Sequence, residues 1–157
     1  VTTAPQTLDR AGIAQRIPHS GSMCLLDRLD RWDAESIHCS TRTHGQPDNP
    51  LRTAGGLLAP SAIEYAAQAM ALHGGLLAAE GSTPSAGFLA SARNARFSVA
   101  RLDDVAGALQ VQARRLSGDT NQILYEFAVK DSDGLMLAEG RAVVVLNTPL
   151  VTGATTS

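Results

Sequence analysis

The sequence predicts an α+β domain in which one long apolar helix is enclosed by an antiparallel sheet. Three observations lead there. Residues 57–79, LLAPSAIEYAAQAMALHGGLLAA, are apolar on nearly every side, whereas a surface helix would show one polar face. The stretch that follows alternates apolar and polar residues at period two, the spacing of strands. Asp131-Ser132-Asp133-Gly134 then supplies the turn that folds the last two strands into a hairpin. A buried helix followed by consecutive hairpin-forming strands is an α+β plan, not a doubly wound parallel one.

In residues 11–28, Pro18 and Gly21-Ser22 interrupt any long helix. A short helical turn or loop is expected there, with Met23-Cys24-Leu25-Leu26 entering a strand. Residues 35–42 alternate, placing Ile37 and Cys39 on one face and His38 and Ser40 on the other. Residues 43–51, THGQPDNPL, are rich in turn formers and read as a loop without regular structure. Pro60 is acceptable in the first turn of the 57–79 helix, whose alanines favour helix and close packing. Gly74-Gly75 is expected to loosen or end its last turns. Extended pieces follow at 87–94 and 96–100, then strands at 104–116, 122–130 and 135–146. Ile123, Tyr125, Phe127 and Val129 share one face of the fourth of these.

With 157 residues the chain suits one core. A single domain is expected over 11–147, with flexible termini at 1–10 and 148–157. A formal net charge of −2 offers no broad positive surface for nucleic acid and no basic run for anionic lipid. Arg114-Arg115 reads as a solvated pair. No segment has the roughly 20 apolar residues a membrane helix needs, and the first residues lack the pattern of a signal peptide. Cys24 and Cys39, the two cysteines, read as buried free thiols, which suits a reducing cytoplasm.

Glu64 and Gln68 interrupt the apolar helix. Four apart, they are expected to point from one face. A carboxylate in apolar surroundings must find donors, meet a cation or keep its proton, and a carboxyl that keeps its proton can act as a general acid near neutrality. A buried network that fixes the helix or a dimer is the other reading of the pair. His19, in a turn flanked by Pro18 and Gly21, and His44, in the loop before the helix, are candidate bases. His73 lies half a turn out of phase with Glu64. No CxxC, HExxH, P-loop, dinucleotide fingerprint or GxSxG motif is present, so neither a metal nor a cofactor is expected.

Four stretches in order resemble the 3-hydroxyacyl-acyl-carrier-protein dehydratases of the hotdog superfamily. They are Ile17-Pro18-His19 with Met23-Cys24-Leu25-Leu26-Asp27-Arg28, then Glu64-Tyr65-Ala66-Ala67-Gln68-Ala69, then Ala95-Arg96-Phe97, and finally the terminal AEGRAVVVL. The Glu-Tyr-x-x-Gln form is similar to the divergent dehydratase-like branch found with aryl-polyene synthesis. The resemblance implies a hotdog homodimer, or a heterodimer with a related hotdog subunit, carrying acyl tunnels at its interface. It implies dehydration of a 3-hydroxyacyl thioester, linked to acyl carrier protein or coenzyme A, to a 2-enoyl thioester. Glu64 matches the family's carboxylate and Gln68 its glutamine one turn later. The backbone N–H that polarises the thioester carbonyl falls at Ala59.

The chain departs from that family where its catalytic histidine belongs: fourteen residues before Glu64 stands Pro50. His19 or His44 is left to serve as base, and Asn49 to orient the carbonyl or a water. Arg93, Arg96 or Arg101 would supply local contacts to an acidic carrier, Arg96 being the one carried as a substrate-binding residue. Two other readings stay open: a hotdog thioesterase using Glu64 and a polar loop residue, and a non-catalytic acyl-binding or dimer-partner subunit.

Overall fold

The computed structural model describes residues 4–17, 21–79, 87–119 and 121–146. A short helix α1 (Arg10–Ala14) is capped by the Asp9 carboxylate, which accepts from the Gly12 N–H, satisfying a donor that the first helical turn leaves free. A 3-10 turn at Gly21–Met23 leads to β1 (Arg28–Trp32) and β2 (Ser36–Thr41). After a second 3-10 turn at Thr43–Gly45 and a loop, the chain enters the central helix through a third at Ala59–Ser61. The helix itself, α2, spans Ala62–Ala79. Strands β3 (Gly87–Phe97), β4 (Leu109–Gly118), β5 (Gln122–Lys130) and β6 (Met136–Leu146) complete the domain.

The six strands form one antiparallel sheet in the order β1-β2-β4-β5-β6-β3. It wraps α2, whose Tyr65, Ala66, Ala69, Leu72 and Leu76 are fully buried. Alternation decides which sheet residues meet the helix. Ile123, Tyr125, Phe127 and Val129 of β5, Val111 of β4, and Ile37 and Cys39 of β2 are all buried. The outward residues between them, among them His38, Gln112 and Glu126, are half-buried or exposed. The α+β fold with a long wrapped helix is the one the sequence predicts.

Several boundaries differ from the sequence reading, each for a physical reason. Residues 24–27 are irregular and the first strand begins only at Arg28, because the peptides of Met23 and Leu25 bond the Gln68 side chain instead of a neighbouring strand. The loop after β2 contains a 3-10 turn. Strand β3 is one element, not two; Asn94 takes a left-handed φ of 53° where the pairing with β6 shifts register between Arg93 and Arg96. Gly74-Gly75 does not end the helix, which continues to Ala79. A Cβ at Gly75 would lie 3.3 Å from the Arg16 carbonyl, so the absent side chain admits the N-terminal segment against the helix.

Both cysteines are buried free thiols. Burial raises the pKa of each, Cys39 the more strongly, so neither is a ready nucleophile. Among the described residues no helix is long and apolar enough to cross a membrane.

Candidate active site

The polar residues at the start of α2 separate into one that is exposed and several that are consumed. Glu64 is exposed, although Ala62, Tyr65, Ala66, Gln68 and Ala69 around it are buried. The buried carboxyl expected from the apolar pattern is therefore not buried within this chain. Beside it in sequence Leu58 is 44 % exposed, and Met23, tied to the helix through Gln68, is 42 % exposed. Large apolar side chains left exposed at the entry to the helix and on the segment held by Gln68 are surface suited to being covered.

Gln68 is 1 % exposed. Its Oε1 accepts from the Leu25 N–H at 2.8 Å and its Nε2 donates to the Met23 carbonyl at 2.6 Å. The side chain thus acts as a two-point clamp on the opening segment, and both its polar ends are used by the chain's own backbone. Glu64 and Gln68 begin on one helix face, but only the second is held in the interior.

Tyr65 belongs to the same interior. Its hydroxyl lies 2.9 Å from Thr43 Oγ1 and accepts from Asn49 Nδ2 at 2.9 Å. Asn49 Nδ2 also donates to the Thr43 carbonyl, while Asn49 Oδ1 accepts from the Leu51 N–H. The amide nitrogen of Asn49 is thus spent on Thr43 of the loop and Tyr65 of the helix and its amide oxygen on Leu51, and the side chain is buried. It shapes the approach to the helix; it does not reach out to orient a carbonyl or a water. Thr41 and Thr43 both donate to the Leu25 carbonyl, which joins this network to the segment held by Gln68. Burial raises the Tyr65 pKa, keeping its hydroxyl protonated as a donor.

His44 is 2 % exposed, not presented from its loop. Its Nε2 lies 2.9 Å from the Val105 carbonyl; a carbonyl only accepts, so Nε2 carries the proton. Nδ1 is buried without a partner among the described residues. Burial lowers the pKa from its ordinary value of 6.5, against the opposing pull of that carbonyl. His73 is also fully enclosed: its Nε2 donates to the Asp33 carbonyl at 2.8 Å and its Nδ1 accepts from the Tyr125 hydroxyl at 2.7 Å. Neither imidazole is available to Glu64. His38 lies on the outward face of the sheet, and His19 falls outside the described residues.

The Ala59 N–H is also committed, donating to the Ala100 carbonyl at 3.0 Å. It is not the free amide that the resemblance implies. Its neighbour Leu58 pairs with Arg101 in an isolated bridge, and among the described residues the Leu58 N–H has no acceptor. The segment before it is held by Asp103, which sequence reasoning missed. Its carboxylate accepts from the Leu57 N–H at 2.9 Å and pairs with Arg101 and with Arg52. The Arg101 contact, reinforced by the Leu57 amide, holds the Asp103 carboxyl well below the ordinary carboxylate range. A Cβ on Gly56, at φ +99°, would sit 2.7 Å from that carboxylate, so only glycine allows the approach. Nothing local in the sequence connects Asp103 to Leu57; the pairing is purely tertiary. Arg96 lines a hollow on the outer sheet face, and Glu64 is not part of that lining. Among the described residues no group of three metal-ligating side chains is found.

A family model described as ApeP dehydratase matches residues 11–152. The chain belongs to the ApeP-like family. The activity expected from the motifs, 3-hydroxyacyl-thioester dehydration within the hotdog superfamily, is the activity of its family. No curated protein matches the sequence. Among solved structures, the dehydratase heterocomplex ApeI:P from Xenorhabdus doucetiae aligns with a TM-score of 0.77 at 24% identity, covering 87% of this chain and 91% of that one. A thioesterase from Haemophilus influenzae aligns with a TM-score of 0.66 at 11% identity, covering 98% and 100%. A thioesterase variant from Pseudomonas aeruginosa aligns at 0.61 and 18%, covering 93% and 99%. These likenesses establish the hotdog fold; the ApeP-like assignment rests on the family match.

Proposed function

We propose that this ApeP-like chain is one half of a composite dehydratase site, supplying Glu64 to an interface with a related hotdog subunit. The observation that carries this is the exposure of Glu64 on an otherwise buried helix, with His44 and His73 both locked elsewhere. A covering subunit would remove the carboxyl from water, which favours its protonated form. It would also bring a base that this chain's described residues do not provide. The open edge of β3 is the natural seam, since among the described residues β6 alone pairs with it. The name of the ApeI:P structure describes a dehydratase heterocomplex, which supports pairing with a related subunit over pairing with a second copy.

In this reading a base, from the partner or from His19, removes the proton alpha to the thioester. A backbone amide at the helix entry holds the enolate oxygen, and the Leu58 N–H, without an acceptor among the described residues, is better suited than that of Ala59. Glu64 gives its proton to the leaving hydroxyl, releasing water and a 2-enoyl thioester. The substrate is a 3-hydroxyacyl group on acyl carrier protein or coenzyme A, and the setting is cytoplasmic.

The test is mass spectrometry of short and medium 3-hydroxyacyl thioesters incubated with the chain, alone and co-expressed with a hotdog partner. Loss of water with the thioester intact, dependent on Glu64 and greatest in the pair, is expected. Free acid and thiol would instead identify a thioesterase. Activity in the pair that survives Glu64→Gln unchanged would reduce this chain to a stabilising subunit.

A further inference from the structure

Hydrogen bonding at the entry to α2 fixes the peptide groups on either side of the Leu58 N–H and leaves that donor without an acceptor among the described residues. Leu58 and Arg101 form an isolated antiparallel bridge. Its two bonds run from the Leu102 N–H to the Leu57 carbonyl at 2.8 Å and from the Ala59 N–H to the Ala100 carbonyl at 3.0 Å. The central residue of such a pair makes no bond across the bridge, so the Leu58 N–H points away from Arg101. The Leu58 carbonyl accepts from the Ser61 N–H at 3.0 Å, and the residue is 44% exposed. The peptide group that carries the Leu58 N–H also carries the Leu57 carbonyl, and a hydrogen bond accepted at one end of an amide polarises the donor at the other. Leu58 caps the 3-10 turn Ala59–Ser61, which runs directly into α2, and Glu64 stands in the first turn of that helix.

We propose that Asp103 is a positioning residue for the dehydration, holding the Leu58 N–H where it meets the thioester oxygen. The inference rests on the function proposed above, which calls for an amide at the helix entry. Its support is the way Asp103 grips the chain just before Leu58. The side chain is 4% exposed, and its Oδ1 accepts from the Leu57 N–H at 2.9 Å. Its Oδ2 lies 3.5 Å from the Arg52 guanidinium and is bound by Arg101 as well. Arg101, one of the arginines expected to meet a carrier, is thus engaged within the chain. Arg52 and Leu57 flank a tight turn in which Thr53 and Gly56 exchange two backbone bonds of 3.0 Å, so one carboxylate ties both ends of that turn. The turn is already closed by Thr53 and Gly56; what Asp103 adds is a fixed direction for the peptides that follow. With the Leu57 N–H on Asp103, the Leu57 carbonyl on Leu102 and the Ala59 N–H on Ala100, the groups flanking the Leu58 N–H are all anchored to residues 100–103. A donor that stabilises developing charge needs that rigidity, because a displacement of about 1 Å costs on the order of 10²-fold in rate.

The experiment uses the full chain assembled with its hotdog partner. Hexanoyl-pantetheine, isotope-labelled at its carbonyl, is bound and its carbonyl stretch is read by difference infrared spectroscopy; lacking a 3-hydroxyl, it cannot be dehydrated. In the wild-type pair the band is expected below its position in free solution, the mark of a donor on the oxygen. Leu58→Pro deletes the N–H without bending the backbone, because Leu58 already has φ −72°, an angle that proline imposes. Against Leu58→Ala, which keeps the donor, it should return the band to the free position and lower kcat roughly 10²-fold or more. Asp103→Ala should move the band part-way back and lower kcat roughly tenfold, with KM changed less than about threefold. In the Leu58→Pro background the same substitution should lower kcat less than about twofold, since the donor it places is gone. Asp103→Asn keeps an acceptor for Leu57 but releases both guanidinium groups. It should fall between wild type and Asp103→Ala, and it decides the matter if the alanine variant does not fold. A wild-type band at the free position overturns the proposal, as does a band unmoved by the Asp103 substitutions. An equal loss of kcat from Asp103→Ala in both backgrounds overturns it too, making Asp103 a structural residue only. Absent dehydration of a 3-hydroxyacyl substrate by the wild-type pair would count against the dehydratase reading alone, since the band positions still decide whether Asp103 sets the amide.

Discussion

The two edges of the sheet are built differently. At the β1 edge the chain protects itself: Leu8 and Leu29 exchange backbone hydrogen bonds of 3.3 and 3.0 Å, and Trp32 Nε1 donates to the Pro5 carbonyl at 2.8 Å. At the β3 edge an 11-residue strand runs with Ala90, Ala92, Arg93 and Asn94 exposed and no described segment across it. An uncovered edge of that length is a template for another strand. One edge is covered within the chain, and the other is uncovered among the described residues; the function proposed above assigns it to a second subunit. Glu64, exposed on the central helix, is the residue that the same proposal places against that second subunit.

The comparison is broken most severely by placing charge on the open edge. Ala90→Lys with Ala92→Lys should abolish assembly and with it nearly all turnover, as edge lysines do to strand pairing. Light scattering after size exclusion checks the first effect and the thioester assay the second. An intact assembly would move the interface off β3. Next in size is Glu64→Gln, expected to lower turnover roughly 10²-fold or more while the assembly and the unfolding midpoint stay put, because the residue is exposed in the chain. Turnover and stability falling together would make Glu64 a structural contact.

Gln68→Ala should lower unfolding stability by about 2–4 kcal/mol in urea titration. It strands the Leu25 N–H and the Met23 carbonyl and leaves a hole under the opening segment. A loss below about 0.5 kcal/mol would mean that water replaces the clamp. Trp32→Phe probes the finished edge. It removes the bond to Pro5 and should cost about 1 kcal/mol with assembly unchanged. Dissociation on this substitution would show that the β1 edge, too, takes part in the interface.

How far the sequence could have led is visible in particular residues. Strand β5 was legible in full because its four inward residues alternate without a break and all four are buried. Strand β3 read as two pieces because the irregularity at Asn94 is a register shift in pairing, and pairing is invisible in a single strand. Gly74-Gly75 misled because helix propensity is a local preference, and the close approach of Arg16 to Gly75 is a tertiary reward that overrides it. At the candidate site, the Glu-Tyr-x-x-Gln spacing singled out the first turns of the helix. It did not say which member faces out. An apolar pattern marks what avoids water, without distinguishing cover by the same chain from cover by another. Asn49 and Ala59 were legible as donors, but the acceptors that consume them, Thr43, Tyr65 and Ala100, are known only from the fold. Asp103 gave no signal, since its partners Leu57 and Arg52 lie far away in sequence.

The smallest effect concerns pH and reaches the finished edge through His73. That ring stacks edge-on with Trp32, at 6.2 Å between centroids, and donates to the carbonyl of Asp33 just beyond β1. Burial lowers the pKa of His73, and likewise those of His44 and His38, from the ordinary 6.5. The unfolded chain therefore takes up these protons first as the solution is acidified. Stability from the neutral rings is fully present above about pH 6.5 and is lost as pH falls below it toward the lowered folded values. The shifted carboxylates of Asp33, Asp103 and Asp119 act lower, beneath their ordinary 3.8, so the slope between about pH 6.5 and 5 belongs to the histidines. Urea midpoints measured across that window should decline, and less steeply in His44→Gln, which removes one of the groups. The Trp32→Phe protein should keep most of the slope, because His73 remains bonded to Tyr125 and Asp33. A midpoint that stays level or rises on acidification would mean that the folded chain binds these protons as readily as the unfolded one. The imidazoles would then have to be accessible, and His44 would return as a candidate base.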